Sequence, residues 1–223
     1  MKTIILTVFA VSFTMVSYSQ EIEFNGFSKG DFIISGSANF YSNENISIST
    51  SDTVSYKYEN TNVSIIPEIG FFITDHFMLG VKAGYINSKS NRDNNIAESK
   101  NSGYTTGITG RYYFSPKKRF SFYTEISGSF SKIDGYSRYY SGEVLNSNYD
   151  DTRKDFSVKL SPGVNIFINK NFSITSRLGE LGYSYSKDTF NDKLNNIGYV
   201  SDSKAILASL DFDTFYFGIL YRI

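Results

Sequence analysis

Cysteine is absent from the 223 residues. That excludes a disulfide framework, a thiolate nucleophile, a zinc–cysteine site and a lipidated cysteine. Tryptophan is absent too, and histidine occurs once, as His76. A Ser-His-Asp site needs histidine at its centre, and one histidine in a polar turn is ordinarily just solvated. Only three prolines are present, so neither a collagen-like nor a Pro-rich chain fits. Lys and Arg number 22, as do Asp and Glu, which removes the electrostatic case for a nucleic-acid partner. Beyond Val16 no apolar run approaches the roughly 18 residues of a membrane helix. There is no Gly-rich phosphate loop leading into a helix and no carboxylate–histidine metal spacing. No catalytic residue, cofactor or resident metal is expected.

What the chain does have is 18 Tyr and 20 Phe, residues that suit strands. The stretch Thr61–Tyr85 shows how they are used. Val63, Ile65, Pro67, Ile69 and Phe71 occupy alternate positions, and Phe77, Leu79, Val81, Ala83 and Tyr85 repeat the pattern. Period two makes one face of each strand apolar. Thr74-Asp75-His76 turns the chain between them. The opposite faces are small and mixed, with Glu68 on one arm and Lys82 on the other. A turn centred on Asp75 sets those two charges directly opposite each other.

The start of the chain reads as a targeting segment. Lys2 gives a positive beginning, Thr3–Val16 is an apolar core too short to span a membrane, and Ser17-Tyr18-Ser19 offers small residues for cleavage. Residues 1–19 are expected to be a signal peptide and 20–223 one barrel domain.

The same alternation recurs along the chain. Strands are expected at Asp31–Tyr41, over the two arms of the hairpin, and at Ser102–Phe114, Phe120–Lys132 and Arg153–Ile168. A seventh starts at Phe172, and an eighth ends at Ile223. The phase slips in the last two, which predicts bulges near Gly179-Glu180 and near Asp213. Connections alternate strictly between long and short. Eight up-and-down strands with both ends on one side produce that alternation when one rim carries turns and the other loops.

Which face is oily decides the environment. Eight strands enclose a lumen only just wide enough for side chains. Five or six large apolar groups per strand would overfill it, whereas Gly, Ser, Thr and a few charges fit. The oily faces therefore point outward, toward lipid. In lipid every backbone group must pair, so the last strand is expected to close on the first. The expectation is an all-β, eight-stranded antiparallel up-and-down transmembrane β-barrel with short periplasmic turns and long extracellular loops. Phe71, Phe72 and Phe77, Phe114 and Phe120, and Ile168 and Phe172 flank the short turns as an interfacial girdle.

The signal ending SYSQ, the hairpin IGFFITDHFMLGVKAGY, the stretch SPGVNIFINKNFSITSRLGELGYSYS and the terminal FYFGILYRI resemble bacterial outer-membrane β-barrel proteins. The likeness is to the small OmpA/OmpX-like and OmpW-like, porin-like barrels. It implies residence in the outer membrane, contact with its lipid and lipopolysaccharide, and a monomer. It also implies that Phe215, Phe217, Ile219, Tyr221 and Ile223 form the terminal signal read by the barrel-assembly machinery. Enzymes of this class generally use a histidine near the outer rim, and His76 falls in a short turn at the other end.

Two groups remain as candidate sites. Glu68, Lys82, Arg111, Glu125, Lys159 and Arg177 come from six consecutive strands and face the lumen. Buried charges must pair, so they are expected to form a polar plug rather than a pathway. Tyr136, Arg138, Tyr139, Tyr140 and Tyr149 lie in the loop after the fifth strand. They are expected to extend strands five and six above the membrane, with contact to a glycan or a protein as the other reading. Acidic residues in the outer loops read as solvated charge, with Ca²⁺ or Mg²⁺ bridging lipopolysaccharide as the other reading. The expected role is structural or surface interaction. A narrow channel for small or hydrophobic solutes, and a secreted ligand-binding barrel of lipocalin type, are the alternatives.

Overall fold

The computed structural model describes residues 26–48, 55–92, 97–141, 144–210 and 216–223. The signal segment and the stretch around Asp213 fall outside them. Ten strand segments follow in order: β1 (Phe32–Ile48), β2 (Ser55–Phe72), β3 (Phe77–Arg92), β4 (Ala97–Tyr113), β5 (Phe120–Ser141), β6 (Val144–Phe167), β7 (Phe172–Arg177), β8 (Gly179–Asp192), β9 (Ile197–Leu210) and β10 (Tyr216–Arg222). β7 with β8, and β9 with β10, are halves of single barrel strands, so the barrel has eight. Every neighbour is antiparallel, and the ring closes where Ile33–Gly36 of β1 pairs with Ile219–Arg222 of β10.

The expected bulge in the seventh strand is present. Three residues, Leu178 to Glu180, stand against Ser161 and Pro162 between the pairs Gly163↔Arg177 and Leu160↔Leu181. Gly179 sits there at φ 154°, a backbone state that side chains disfavour. On the eighth strand, Leu210 opposes Gly179 and Tyr216 opposes Arg177, so the registers flanking 211–215 differ.

The period-two alternation resolves into outside and inside as the residue types demand. Ile34, Ile65, Leu79, Phe122, Ile126 and Leu160 are exposed on the exterior, with Ile69 57% and Ile108 68% accessible. Glu68, Thr105, Thr109, Arg111, Glu125, Ser127, Ser161 and Asn165 are buried in the lumen. In water this inversion would leave a large contiguous apolar surface uncovered. In hydrocarbon it costs nothing, and the closed ladder satisfies the backbone.

Two features differ from the sequence reading. First, the long connections are built largely as strand. β5 and β6 run 22 and 24 residues against the roughly 9–11 that span a bilayer. They pair from Phe120↔Ile166 to Ser141↔Val144 with one register shift at Tyr139/Tyr140. Above the apolar belt both faces are polar, so alternation vanishes from the sequence while the ladder continues. Second, Phe72 is not part of an interfacial girdle: it is fully buried inside. It joins Phe27, Ile33, Met78, Tyr113, Tyr123, Phe167 and Leu220 in an apolar cluster at the short-turn end.

The turns themselves follow from side-chain chemistry. Thr74 Oγ1 accepts from Phe77 N at 3.0 Å, and Asn169 Oδ1 accepts from the backbone N of Asn171 and of Phe172, each at 2.9 Å. Replacing Ile108 by Lys on the exterior should lower stability in lipid by about 2–4 kcal/mol, the cost of a cation near the bilayer midplane. Guanidinium titration of protein refolded into vesicles reads this directly, and an unchanged midpoint would place that face elsewhere.

Candidate functional site

The lumen is built in layers, counted upward from the short turns. The lowest layer is aromatic. Residues 26–30 fold across the barrel mouth, tied by Phe27 N to Pro116 O at 3.0 Å, Gly30 N to Phe72 O at 2.9 Å and Lys29 N to Asp75 Oδ1 at 2.8 Å. Phe27 then points into the barrel. Its ring lies 4.5 Å from Phe72, 4.7 Å from Tyr113 and 4.6 Å from Phe167, centroid to centroid. Such contacts stabilise beyond the area they bury. Periodicity could not reveal Phe27, because it lies outside any strand.

Above it comes the ionic layer. Arg111 on β4 and Glu125 on β5 are register partners. Arg111 Nε and Nη2 both donate to Glu125 Oε2, at 2.9 and 2.5 Å, and Nη1 donates to the Tyr113 hydroxyl at 3.1 Å. Its Nη2 also lies 3.5 Å from Glu68 Oε1, an oxygen that accepts from Thr109 Oγ1 at 3.2 Å. The side chains of Arg111 and Glu125 are 4% and 2% exposed, so each is held by the other rather than by bulk water. The guanidinium also sits 4.8 Å over the Tyr123 ring. Gly80 makes room for this layer, since a Cβ there would stand 2.5 Å from Thr109 Oγ1 and 3.0 Å from Glu68 Oε1.

The six lumen charges are not one continuous network. Arg111 gathers Glu68 and Glu125, and Arg177 Nη1 reaches Glu125 Oε1 at 3.9 Å. Lys159 forms a separate pair, its Nζ 2.9 Å from both carboxylate oxygens of Glu180. Glu180 is absent from the sequence-derived set; the phase slip beside Gly179 was the signal that its side chain turns inward. Lys82 does oppose Glu68 in register, yet forms no ion pair with it. The planar fork of Arg111 holds Glu68 instead.

Above the charges the lumen is hydroxyl-lined. Ser129 and Ser157 share a 2.9 Å hydrogen bond, and Ser131 Oγ donates to Thr105 Oγ1 at 2.9 Å. A cavity of about 340 Å³ occupies this level, bordered by Glu68, Lys82, Arg111, Lys159 and Arg177 with the serines.

The tyrosine group lies not in a loop but within the paired strands, Tyr136, Tyr139 and Tyr140 on β5 and Tyr149 on β6. Tyr136 donates to Glu98 Oε1 at 2.8 Å and lies under the Arg138 guanidinium, 4.6 Å away. The bond to Glu98 pushes the Tyr136 hydroxyl pKa up. Tyr139 meets Tyr149 edge-on at 6.3 Å. Tyr140 is half-buried. Burial, with Asp188, Asp150 and Asp134 nearby, pushes the Asp151 carboxyl up. His76 is held rather than free: its Nδ1 is 2.8 Å from the Tyr113 carbonyl oxygen, and its ring stacks on Tyr112. Of the terminal strand, Ile219, Tyr221 and Ile223 face outward; Phe215 and the Phe217 side chain lie outside the described residues.

Removing one partner of a buried ion pair strands the other. Arg111→Met should therefore cost about 3–5 kcal/mol, since it leaves Glu68 and Glu125 unpaired, while Lys82→Met should cost far less. Denaturant midpoints of the two refolded variants give the comparison, and equal losses would contradict the pairing described.

No family model matches the chain, and neither does any curated protein. Among solved structures it is similar to the outer membrane protein OprG from Pseudomonas aeruginosa, with 14% identity and a TM-score of 0.53 over 90% of this chain and 99% of that one. A major outer membrane protein from Thermus thermophilus is 10% identical at a TM-score of 0.45, over 87% and 99% of the two chains. The likeness to OprG shows the fold: this chain folds as an eight-stranded barrel of the outer-membrane type.

Proposed function

We propose that the protein is an integral outer-membrane barrel whose lumen is closed at its short-turn end, and that its role is structural or surface-interacting rather than catalytic. Residues 1–19 serve as its signal peptide, the terminal strand addresses it to the barrel-assembly machinery, and it sits as a monomer among lipid and lipopolysaccharide. The observation that carries the reading is the stopper: Phe27, Phe72, Tyr113 and Phe167 are fully buried across the lumen, directly beneath the Arg111–Glu125 pair. Among the described residues, a layer packed in that way supports a lumen without a solute path.

The working surface is then the outer one. β5 and β6, and β8 and β9, project well past the belt as paired hairpins, and β8–β9 ends in a tight turn at 193–196. Asp192 Oδ1 caps that turn, accepting from Leu194 N at 2.9 Å and Asn195 N at 3.2 Å. The narrow-channel reading draws on the cavity above Arg111, but that cavity has the ionic layer as its floor. A soluble ligand-binding barrel would need the opposite sidedness.

Because the chain has no cysteine, single cysteines report topology cleanly. Leu194→Cys should be labelled by a membrane-impermeant maleimide on intact cells, and Lys170→Cys in a short turn should not. In planar bilayers the wild-type protein should be silent. Steady conductance would remove the closed-lumen reading, and labelling of Lys170→Cys alone would invert the orientation.

A further inference from the structure

At the level of the cavity, the described cations outnumber the carboxylates that serve them. Lys82, Arg111, Lys159 and Arg177 border the cavity, and the carboxylates that serve them are Glu68, Glu125 and Glu180. Four cations therefore face three anions. The pairing shows where the excess sits. Arg111 is saturated by Glu125, Glu68 and Tyr113. Both oxygens of Glu180 are taken by Lys159, and Arg177 leans toward Glu125. Lys82 lost its register partner Glu68 to Arg111, and among the described residues no carboxylate lies within ion-pair range of it. Its stem crosses Gly107, where a Cβ would stand 2.8 Å from Lys82 Cε and 3.2 Å from the Ser129 Cβ. That route carries the ammonium toward the serine-lined side of the cavity.

An ammonium in a lumen walled by protein is poorly solvated, and a neighbouring charge acts on it more strongly than it would in bulk water. The wall offers it hydroxyls from Ser127, Ser129 and Ser157, which donate to an anion as readily as they accept from a cation. The cavity's volume, about 340 Å³, is at the small end of ligand pockets. The buried apolar cluster closes the short-turn end, so entry is from the long-loop end, where the lumen wall is polar and only partly buried.

We propose that this cavity binds a small oxyanion, a carboxylate- or phosphate-bearing solute, with Lys82 as its principal ligand and Arg177 and the Ser127, Ser129 and Ser157 hydroxyls around it. The site neutralises the lumen's unpaired charge and is reached from the outer face. The binding itself does not depend on the stopper blocking conduction, whereas the side of entry rests on the closed short-turn end.

The test is calorimetric titration of the refolded mature chain in zwitterionic detergent. Sodium phosphate and sodium acetate serve as separate probes, each against sodium chloride at equal ionic strength. Saturable one-to-one binding of either probe is expected, and the two arms show which oxyanion the cavity prefers. Lys82→Met should weaken that binding at least tenfold, and Lys118→Met, on a short turn outside the lumen, should leave it unchanged. Lys82→Gln keeps a polar tip in the lumen and replaces Lys82→Met should the latter not refold, as judged by heat-shifted gel mobility. Absence of saturable binding by both probes overturns the proposal. So does wild-type affinity in the folded Lys82 variant, or an equal loss in Lys118→Met, which would mark the binding as non-specific.

Discussion

Backbone pairing is the constraint from which this structure follows. A sheet with an oily exterior is at home in hydrocarbon, where an unpaired N–H or C=O costs several kcal/mol. Such a sheet cannot keep open edges. Here the edges meet at β1 and β10, over Ile33–Gly36 and Ile219–Arg222, so the first and last strands seal the ring together. The contact also ties the chain ends: Ile223 N donates to Phe32 O at 2.9 Å, and the Arg222 guanidinium bonds to Gly26 O and approaches Asp31. The segment that stoppers the mouth is thus anchored by the strand that closes the wall.

Closure at eight strands then dictates the contents. The lumen cannot hold large apolar side chains from every strand along its whole length; it takes one apolar layer at the short-turn end, and above that charge and hydroxyl groups that are partnered. Burying Arg111 with two carboxylates brings little net stability, because desolvation offsets the attraction. What it brings is registry. Arg111 can meet Glu125 directly only when β4 and β5 are paired as Arg111↔Glu125, and it reaches Glu68 only with β2, β3 and β4 in their observed alignment. A one-residue slip of any strand would turn its charge out into the apolar belt.

This also explains what the sequence could and could not disclose. Alternation marked which residues face lipid, from Ile65 to Tyr221, because that face is uniformly apolar. It placed Glu68 opposite Lys82 correctly. It could not say which cation Glu68 would choose, since that depends on Arg111 arriving from the next strand with a longer, planar donor group. Glu180 escaped because a bulge breaks the parity on which the reading relied. Phe72 has the inward parity, but it stands beside a turn, where an aromatic residue suits an interface as well as a plug. The overhanging hairpins were invisible for a different reason: a strand with water on both faces carries no hydrophobic period.

Those overhangs pose a question of register, since two-sided polar strands specify their own pairing weakly. Their cross-strand partners are mixed: Glu98 opposes Arg138, Arg153 opposes Asp188 and Lys187 opposes Asp202, but other pairs are of like charge. Glu44 opposes Glu59, Lys89 opposes Lys100, and Lys132 opposes Lys154, which in turn opposes Lys187. Like charges so placed are mildly destabilising, and neighbours offset some of them: Lys57 Nζ lies 3.3 Å from Glu44 and 2.6 Å from Glu59, and Lys132 Nζ 3.0 Å from Asp134. Within the belt the direct charge pairs, Glu68↔Lys82 and Arg111↔Glu125, are of opposite sign. The alignment of the exposed ladders is therefore set chiefly from below, where lipid and the Arg111 cluster act, and the opposite-charge pairs above only reinforce it. Side chains that do not serve register are available to meet whatever the outer surface meets.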